Sequence, residues 1–198
     1  MNLEHQSDIV YKTMCARFTA YRRMKRNRDA SKGAESLFFA SIIALGLISM
    51  TGDKLDLSNN ISAFTIILST FLLVLSLLFG GLNYEKRMEN YHSCGNELNH
   101  LYRLMMCELQ CLSEERQKEK ALEYLKQYHA ILTKYNLNHT TFDYEYAMSA
   151  LSTEQIAPLS KFWLKMRYYL LDVYMLYWLI ALVPIACIGW YYFSKLMC

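Results

Sequence analysis

Histidine and cysteine side chains, the usual ligands of zinc, are concentrated in residues 92–111. A structural zinc site needs four such ligands that converge on one point. Cys107 and Cys111 lie one helical turn apart, but His92, Cys94 and His100 do not share a face of one helix. We therefore expect no metal site, and we interpret the cysteines as small apolar residues of a packed helix.

The sequence also lacks the motifs that carry common enzyme chemistry. None of its seven glycines falls in the GxGxxG or GxxxxGK[ST] spacing that binds nucleotide phosphates. The HExxH motif of metalloproteases and the GxSxG motif of serine hydrolases are absent too. We expect neither an enzyme activity nor a cofactor.

A run of basic residues precedes the first apolar segment of the chain. Such a run could bind an anionic nucleotide or a nucleic acid, or it could attract anionic lipids and set the membrane topology. Its position directly before an apolar segment favours lipids, so we expect no direct binding of nucleic acid. This basic juxtamembrane cluster comprises Arg22, Arg23, Lys25, Arg26 and Arg28.

Three runs without any charged residue follow, at 36–52, 57–84 and 173–194. A bilayer core about 30 Å thick needs about 20 apolar residues of helix to cross it. The second and third runs meet that length, and the first does so with Glu35 at the level of the lipid headgroups. The pattern predicts an integral membrane protein whose third run either spans the bilayer or lies in its interface.

The distribution of basic residues predicts the orientation. Eight Lys and Arg precede the first run, whereas the loop 51–60 contains a single Lys. The positive-inside rule therefore places the N-terminus and residues 83–169 in the cytoplasm and the loop outside.

Outside these runs the sequence predicts helices. The stretch LNYEKRMENYHSCGNELNHLY, which starts at Leu82, has apolar residues at steps of three and four, so the second span is expected to continue unbroken into a cytoplasmic stalk. A new helix is expected after Ser113, a turn at 136–141, a short helix over Thr141–Leu151 and a last helix from Pro158. The residues expected to pack the stalk are Tyr91, Leu98, Leu101 and Met105.

The predicted fold class is an all-α membrane protein. It consists of an N-terminal amphipathic helix, a transmembrane helical hairpin, a cytoplasmic helical stalk or coiled coil, and a C-terminal third hydrophobic helix. The corresponding segments are 1–35, 36–82, 83–160 and 161–198.

Small and polar residues recur along both predicted spans. Such a stripe either allows close helix packing or lines a pore, and it can do the first in a closed state and the second in an open one. On the second span the stripe comprises Ser62, Ser69, Ser76, Gly80 and Asn83. On the first span a small-residue face expected to pack the hairpin comprises Ser36, Ala40 and Ala44.

The order of these segments and the stretch from Asn83 to Leu101 resemble the SLATT domains, in particular family five with its extra C-terminal hydrophobic segment. These are two-transmembrane effector domains associated with nucleotide-synthesising and nucleotide-sensing defence modules. The resemblance implies an effector of the bacterial inner membrane that forms homo-oligomers and perforates or depolarises the bilayer during phage infection. It also implies a partner encoded nearby, either a nucleotide synthase or sensor or a reverse transcriptase.

A second reading of the same segments remains open. The chain could be a membrane anchor or adaptor that forms no pore and recruits a cytoplasmic partner through its helical stalk. The surface around 129–143 is the candidate binding surface for that reading.

Overall fold

The structure is a computed structural model that describes residues 3–51, 55–138, 140–151 and 158–167, and some residues between 175 and 189. Its described residues contain helices and no strand, which confirms the all-α fold class. Six helices are defined: α1 (Leu3–Thr51), α2 (Leu55–Gly81), α3 (Tyr84–Cys111), α4 (Glu114–Tyr135), α5 (Thr141–Leu151) and α6 (Pro158–Met166).

Short sequence signals set several helix boundaries as predicted. Ser113 has an extended backbone directly before α4, and Pro158 is the first residue of α6. Asn136 ends α4 in the left-handed conformation with φ of 42°, and its N–H donates to the carbonyl of Leu132 at 3.0 Å. Asparagine tolerates this conformation better than most residues with a Cβ atom.

The second span does not continue unbroken into α3, so this expectation is wrong. Asn83 lies in the left-handed region with φ of 49°, and its side-chain amide donates to the Gly81 carbonyl at 3.2 Å. Two adjacent glycines weaken the end of α2, and the asparagine then supplies a turn that local hydrogen bonding stabilises.

The chain divides into two compact units. Unit 1 comprises residues 1–25 and 85–168, and unit 2 comprises residues 26–84 and 169–198. Each unit is therefore built from two separate parts of the sequence, and α1 contributes to both, whereas the four predicted segments are contiguous. The predicted segments divide the chain by sequence order, whereas the two units group the residues that pack together.

Unit 1 has one apolar core in which the first part of α1 packs with α3 and α4. Gly95 lets α3 lie close to Phe18 of α1, because a Cβ atom at this position would lie 3.0 Å from a ring carbon of Phe18. The buried residues of this core are Leu3, Val10, Met14, Cys94, Leu98, Leu101, Met105, Ala121 and Tyr124.

Unit 2 contains two smaller apolar clusters. In one, Phe38, Ile42 and Leu45 of α1 are buried against Leu68 of α2. In the other, Tyr177 of the third apolar run is buried with Ala30, Ala34 and Ala181. Most of the third run lies outside the described residues.

In the part of the chain that the structure describes, two helices are long and apolar enough to cross a membrane, one within Leu3–Ile48 and one within Ser62–Cys111. Large apolar side chains on them are exposed, including Ile66, Leu73 and Leu77 on α2. A face of this kind is unfavourable in water and is the usual surface of a helix in lipid.

Candidate functional site

The candidate site of unit 2 is an apolar groove along the hairpin. Its volume is about 750 Å³. The lining residues come from both α1 and α2: Lys32, Glu35, Ser36, Phe39, Ile42, Ser69, Leu72, Leu73, Ser76 and Leu77. The groove thus brings together two serines of the predicted α2 stripe and one serine of the predicted α1 face.

All five residues of the α2 stripe are exposed. The Ser69 hydroxyl donates to the Thr65 carbonyl at 2.8 Å, and on the other wall of the groove Ser36 donates to the Lys32 carbonyl at 2.9 Å. A hydroxyl bonded to its own helix presents a small surface that can contact an apolar neighbour. A Cβ atom at Gly80 would meet no atom within 4 Å.

The three residues of the predicted α1 face are exposed, and Ser36 also lines the groove. Ser36, Ala40 and Ala44 are exposed, and the larger side chains of Phe38 and Ile42 are buried instead. Large apolar side chains on a neighbouring face give more dispersion contacts than alanine. The role of the small-residue face in packing the hairpin stays a prediction.

Tyr177 connects the third apolar run with the start of α3. Its hydroxyl lies 2.7 Å from the hydroxyl of Tyr84, and its ring meets Phe79 edge to face at a centroid distance of 5.0 Å. Buried tyrosine hydroxyls need such partners. This contact of unit 2 was not predicted, because nothing in the spacing relates residues 84 and 177.

The residues of the basic juxtamembrane cluster differ in their exposure and in their hydrogen bonds. Arg22, which is exposed, donates to the Thr19 hydroxyl at 3.1 Å, and Lys25 is exposed. Arg28 donates to Asp29 at 2.7 Å, and Arg26 is partly buried. Arg23 belongs instead to the interior of unit 1.

A buried ion pair joins α1 to the first turn of α5. Arg23 donates from Nε and Nη2 to the two carboxylate oxygens of Asp143, both at 2.9 Å. Thr140 donates to Oδ2 of the same carboxylate from its N–H at 3.1 Å and from its hydroxyl at 2.8 Å. Asp143 is fully buried, and a bidentate guanidinium pair with further donors is the geometry that compensates such burial.

The residues expected to pack the stalk are all buried. Leu98, Leu101 and Met105 belong to the core of unit 1. Tyr91 donates from its hydroxyl to the Asn138 carbonyl at 2.8 Å, and burial raises the pKa of this phenol. These contacts fix the chain just before α5.

Hydrogen bonds and burial also shift the pKa values of other polar groups in unit 1. A hydrogen bond from Lys134 lowers the pKa of Glu97, which also accepts from the Tyr135 hydroxyl at 2.8 Å. Burial, together with a hydrogen bond to Glu108, raises the pKa of Tyr124 to about 12. These shifts accompany helix packing.

Among the described residues no three His, Cys, Asp or Glu side chains converge on a point that could hold a metal ion. Cys94 is buried in the core of unit 1, while Cys107 and Cys111 are exposed on α3.

Comparison with known proteins gives one match. The model of the family described as SMODS and SLOG-associating 2TM effector domain family 5 matches residues 1–190. Neither a curated protein nor a solved structure matches the chain.

Proposed function

The chain belongs to SLATT family 5, a family of two-transmembrane effector domains associated with SMODS and SLOG systems, and from this premise we propose how it acts. We infer that it is an effector of bacterial antiphage defence that oligomerises in the inner membrane and depolarises it, which arrests the infected cell. The family match carries this proposal.

The exposed apolar surface of α1 and α2 supports a membrane location. Ile66 is 67% exposed and Leu77 is 71% exposed. Soluble monomers rarely leave so many large apolar side chains together in water. In a bilayer the same side chains face acyl chains, and every backbone group is satisfied within the helix.

The orientation and the number of spans are part of the proposal. The eight basic residues in the first part of α1, ahead of its apolar run, support a cytoplasmic N-terminus, and the two apolar helices support a multi-pass protein. Unit 1, with its charged surface, would then lie on the cytoplasmic side.

The groove of unit 2 provides a surface for assembly. Ser69 and Ser76 are exposed there, and small residues allow two helices in a membrane to approach closely. We propose that a second copy packs against this stripe in the closed state. In the open state the same hydroxyls would turn towards water and line the pore.

An activating partner completes the proposal. SLATT domains associate with SMODS and SLOG modules, so we expect a protein encoded nearby to trigger assembly. A nucleotide synthase, a nucleotide sensor or a reverse transcriptase would each fit this role.

The experiment is a membrane-potential dye assay in cells that express the protein with its partner system. Activation of the wild type should depolarise the cells, and Ser69→Leu combined with Ser76→Leu should abolish that response while membrane insertion persists. Thr70→Leu is the matched control, because Thr70 is also exposed and also donates to the carbonyl four residues earlier, at 3.0 Å, but lies outside the groove.

Two outcomes would reject the proposal. Depolarisation by the double-leucine variant at wild-type strength would show that the stripe is neither interface nor pore. A wild type that binds its partner yet leaves the membrane potential intact would establish the adaptor function instead.

A further inference from the structure

Arg17 is a buried cation in unit 1 that the proposed function does not use. Its residue is 3% exposed, and its guanidinium carbon lies 5.9 Å from the ring centroid of Tyr91. Its Nε and Nη1 atoms are buried, and neither donates a hydrogen bond to the described residues. A guanidinium group carries five N–H donors and no acceptor, so only an acceptor or an anion can satisfy it.

Two carboxylates that affect the pKa of groups near Arg17 already accept hydrogen bonds from other residues. Asp143 raises the pKa of Tyr91. Its carboxylate, however, accepts two hydrogen bonds from Arg23 and two from Thr140. Three of these bonds reach Oδ2 and one reaches Oδ1, so both carboxylate oxygens are already engaged. Glu97, which raises the pKa of Cys94, accepts hydrogen bonds from Lys134 and Tyr135.

The charge near Tyr91 is positive. The charges of Arg17, Arg87 and Arg23 each lower the pKa of its hydroxyl, and the charge of Asp143 raises it. Asp143 pairs with Arg23, and neither Arg17 nor Arg87 forms an ion pair with a carboxylate of the described residues. Arg87 is exposed on α3, one helical turn before Tyr91, where an anion from solvent would meet it first.

Stacking on Tyr91 does not compensate the burial of Arg17. A cation over an aromatic ring recovers only part of the hydration that a buried guanidinium loses. A buried cation with unbonded donors therefore indicates a missing anionic partner.

We propose that Arg17 is the centre of an anion site in unit 1 that binds a phosphate group, with Arg87 at its entrance. A phosphate monoester carries nearly two negative charges at neutral pH, which matches the two uncompensated guanidinium groups. Guanidinium groups also suit phosphate oxygens better than a point charge does, because their donors lie in one plane. The phosphate belongs either to a soluble compound or to a lipid headgroup.

The first test measures phosphate binding to the full-length protein in detergent by equilibrium dialysis with radiolabelled inorganic phosphate. We expect saturable binding to the wild type and at least about tenfold weaker binding to Arg17→Met, because charge-assisted hydrogen bonds are lost. Arg22→Met is the matched control, since Arg22 is exposed on the same helix and donates to Thr19. It should bind as the wild type does.

A second variant keeps the test valid if Arg17→Met does not fold. Arg17→Lys keeps the charge but loses the planar donors, so we expect folded protein with weakened phosphate binding. Wild-type binding by Arg17→Lys together with loss of binding in Arg22→Met would overturn the proposal, because the anion would then be held at the exposed surface.

The second arm distinguishes the sources of the phosphate. The protein is reconstituted in bilayers of a galactolipid, which has no phosphate, with or without phosphatidylglycerol, and its thermal unfolding is followed. A lipid site predicts that phosphatidylglycerol raises the unfolding midpoint of the wild type but not of Arg17→Met. A soluble ligand predicts that inorganic phosphate does so without any phospholipid. If inorganic phosphate does not bind the wild type and neither addition raises its unfolding midpoint, Arg17 is a structural cation that only stacks on Tyr91, and the proposal is wrong.

Discussion

Units 1 and 2 differ in where their large apolar side chains lie. Unit 1 buries large apolar side chains such as Leu98 and Met105 and exposes charged residues of α3 and α4. Unit 2 exposes large apolar side chains, with Met50 at 85% and Leu77 at 71%. The first pattern is that of a domain in water, and the second is that of helices in lipid. One chain therefore contains two regions that are folded for different solvents.

The apolar spans also differ from the interior of unit 1 in their side-chain hydrogen bonds. In unit 1 several of these bonds join residues far apart in the sequence, as between Arg23 and Asp143 or between Thr13 and Tyr128, whose hydroxyls lie 3.0 Å apart. On the α1 and α2 spans, Ser41 and Thr70 donate to carbonyls four residues earlier. A polar side chain in lipid is best satisfied within its own helix, whereas a domain in water can select a unique fold with polar networks.

The largest effect is expected when the polar interior of unit 1 is broken. Asp143→Ala should destabilise unit 1 by about 3–5 kcal/mol, because the buried guanidinium of Arg23 loses the carboxylate to which it donates. Thermal unfolding in detergent, followed by circular dichroism, measures this. The matched control is Glu123→Ala, which removes an exposed ion pair with Lys120 and should leave the midpoint unchanged.

A double replacement tests the reason for that effect. Arg23→Leu combined with Asp143→Leu removes both charges, so it should recover much of the stability that Asp143→Ala loses. If the double variant is as unstable as the single one, the loss does not arise from an uncompensated charge.

This ion pair also marks the limit of prediction from sequence. Helix starts and ends near Ser113, Asn136 and Pro158 follow from residues next to them, so local patterns predicted them. The pairing of residues 23 and 143 depends on packing between distant elements, and the basic run around Arg23 favoured a lipid-facing role. The break at Asn83 was missed because apolar spacing on both sides fitted a single helix.

Deletion of an apolar side chain should affect the two regions differently. Leu98→Ala should destabilise unit 1 by about 2–5 kcal/mol, because it leaves a cavity in a packed core. Leu77→Ala on α2 removes the same atoms from an exposed position, so the unfolding midpoint in detergent should stay close to that of the wild type. A comparable loss in both variants would contradict the assignment of α2 to lipid.

A smaller effect of opposite sign is expected at Gln6, near the start of α1. This residue is 4% exposed, and both side-chain amide atoms are buried without a hydrogen bond to the described residues. Gln6→Met keeps the volume and removes the buried polar group, so unit 1 should gain about 1 kcal/mol of stability. Denaturant unfolding measures the gain, and a loss would show that a partner satisfies the amide.

The smallest effect concerns pH. The hydrogen bond from Lys134 lowers the pKa of Glu97 below its ordinary value of 4.5, so this pair stabilises the fold above that pH. The contribution should disappear as the pH falls through the lowered pKa of the folded state. Glu97→Gln should therefore be slightly less stable than the wild type at pH 7 and equally stable at acidic pH. The difference should shrink in high salt, since the pair is partly exposed.

The central claim, that two helices cross the inner membrane and leave unit 1 in the cytoplasm, is tested most directly by single-cysteine labelling. Cysteine is placed at position 56 or 120 in a chain without its native cysteines, and intact cells are treated with an impermeant maleimide. The account predicts labelling at 56 in intact cells and at 120 only after permeabilisation. Labelling at 120 in intact cells would contradict it.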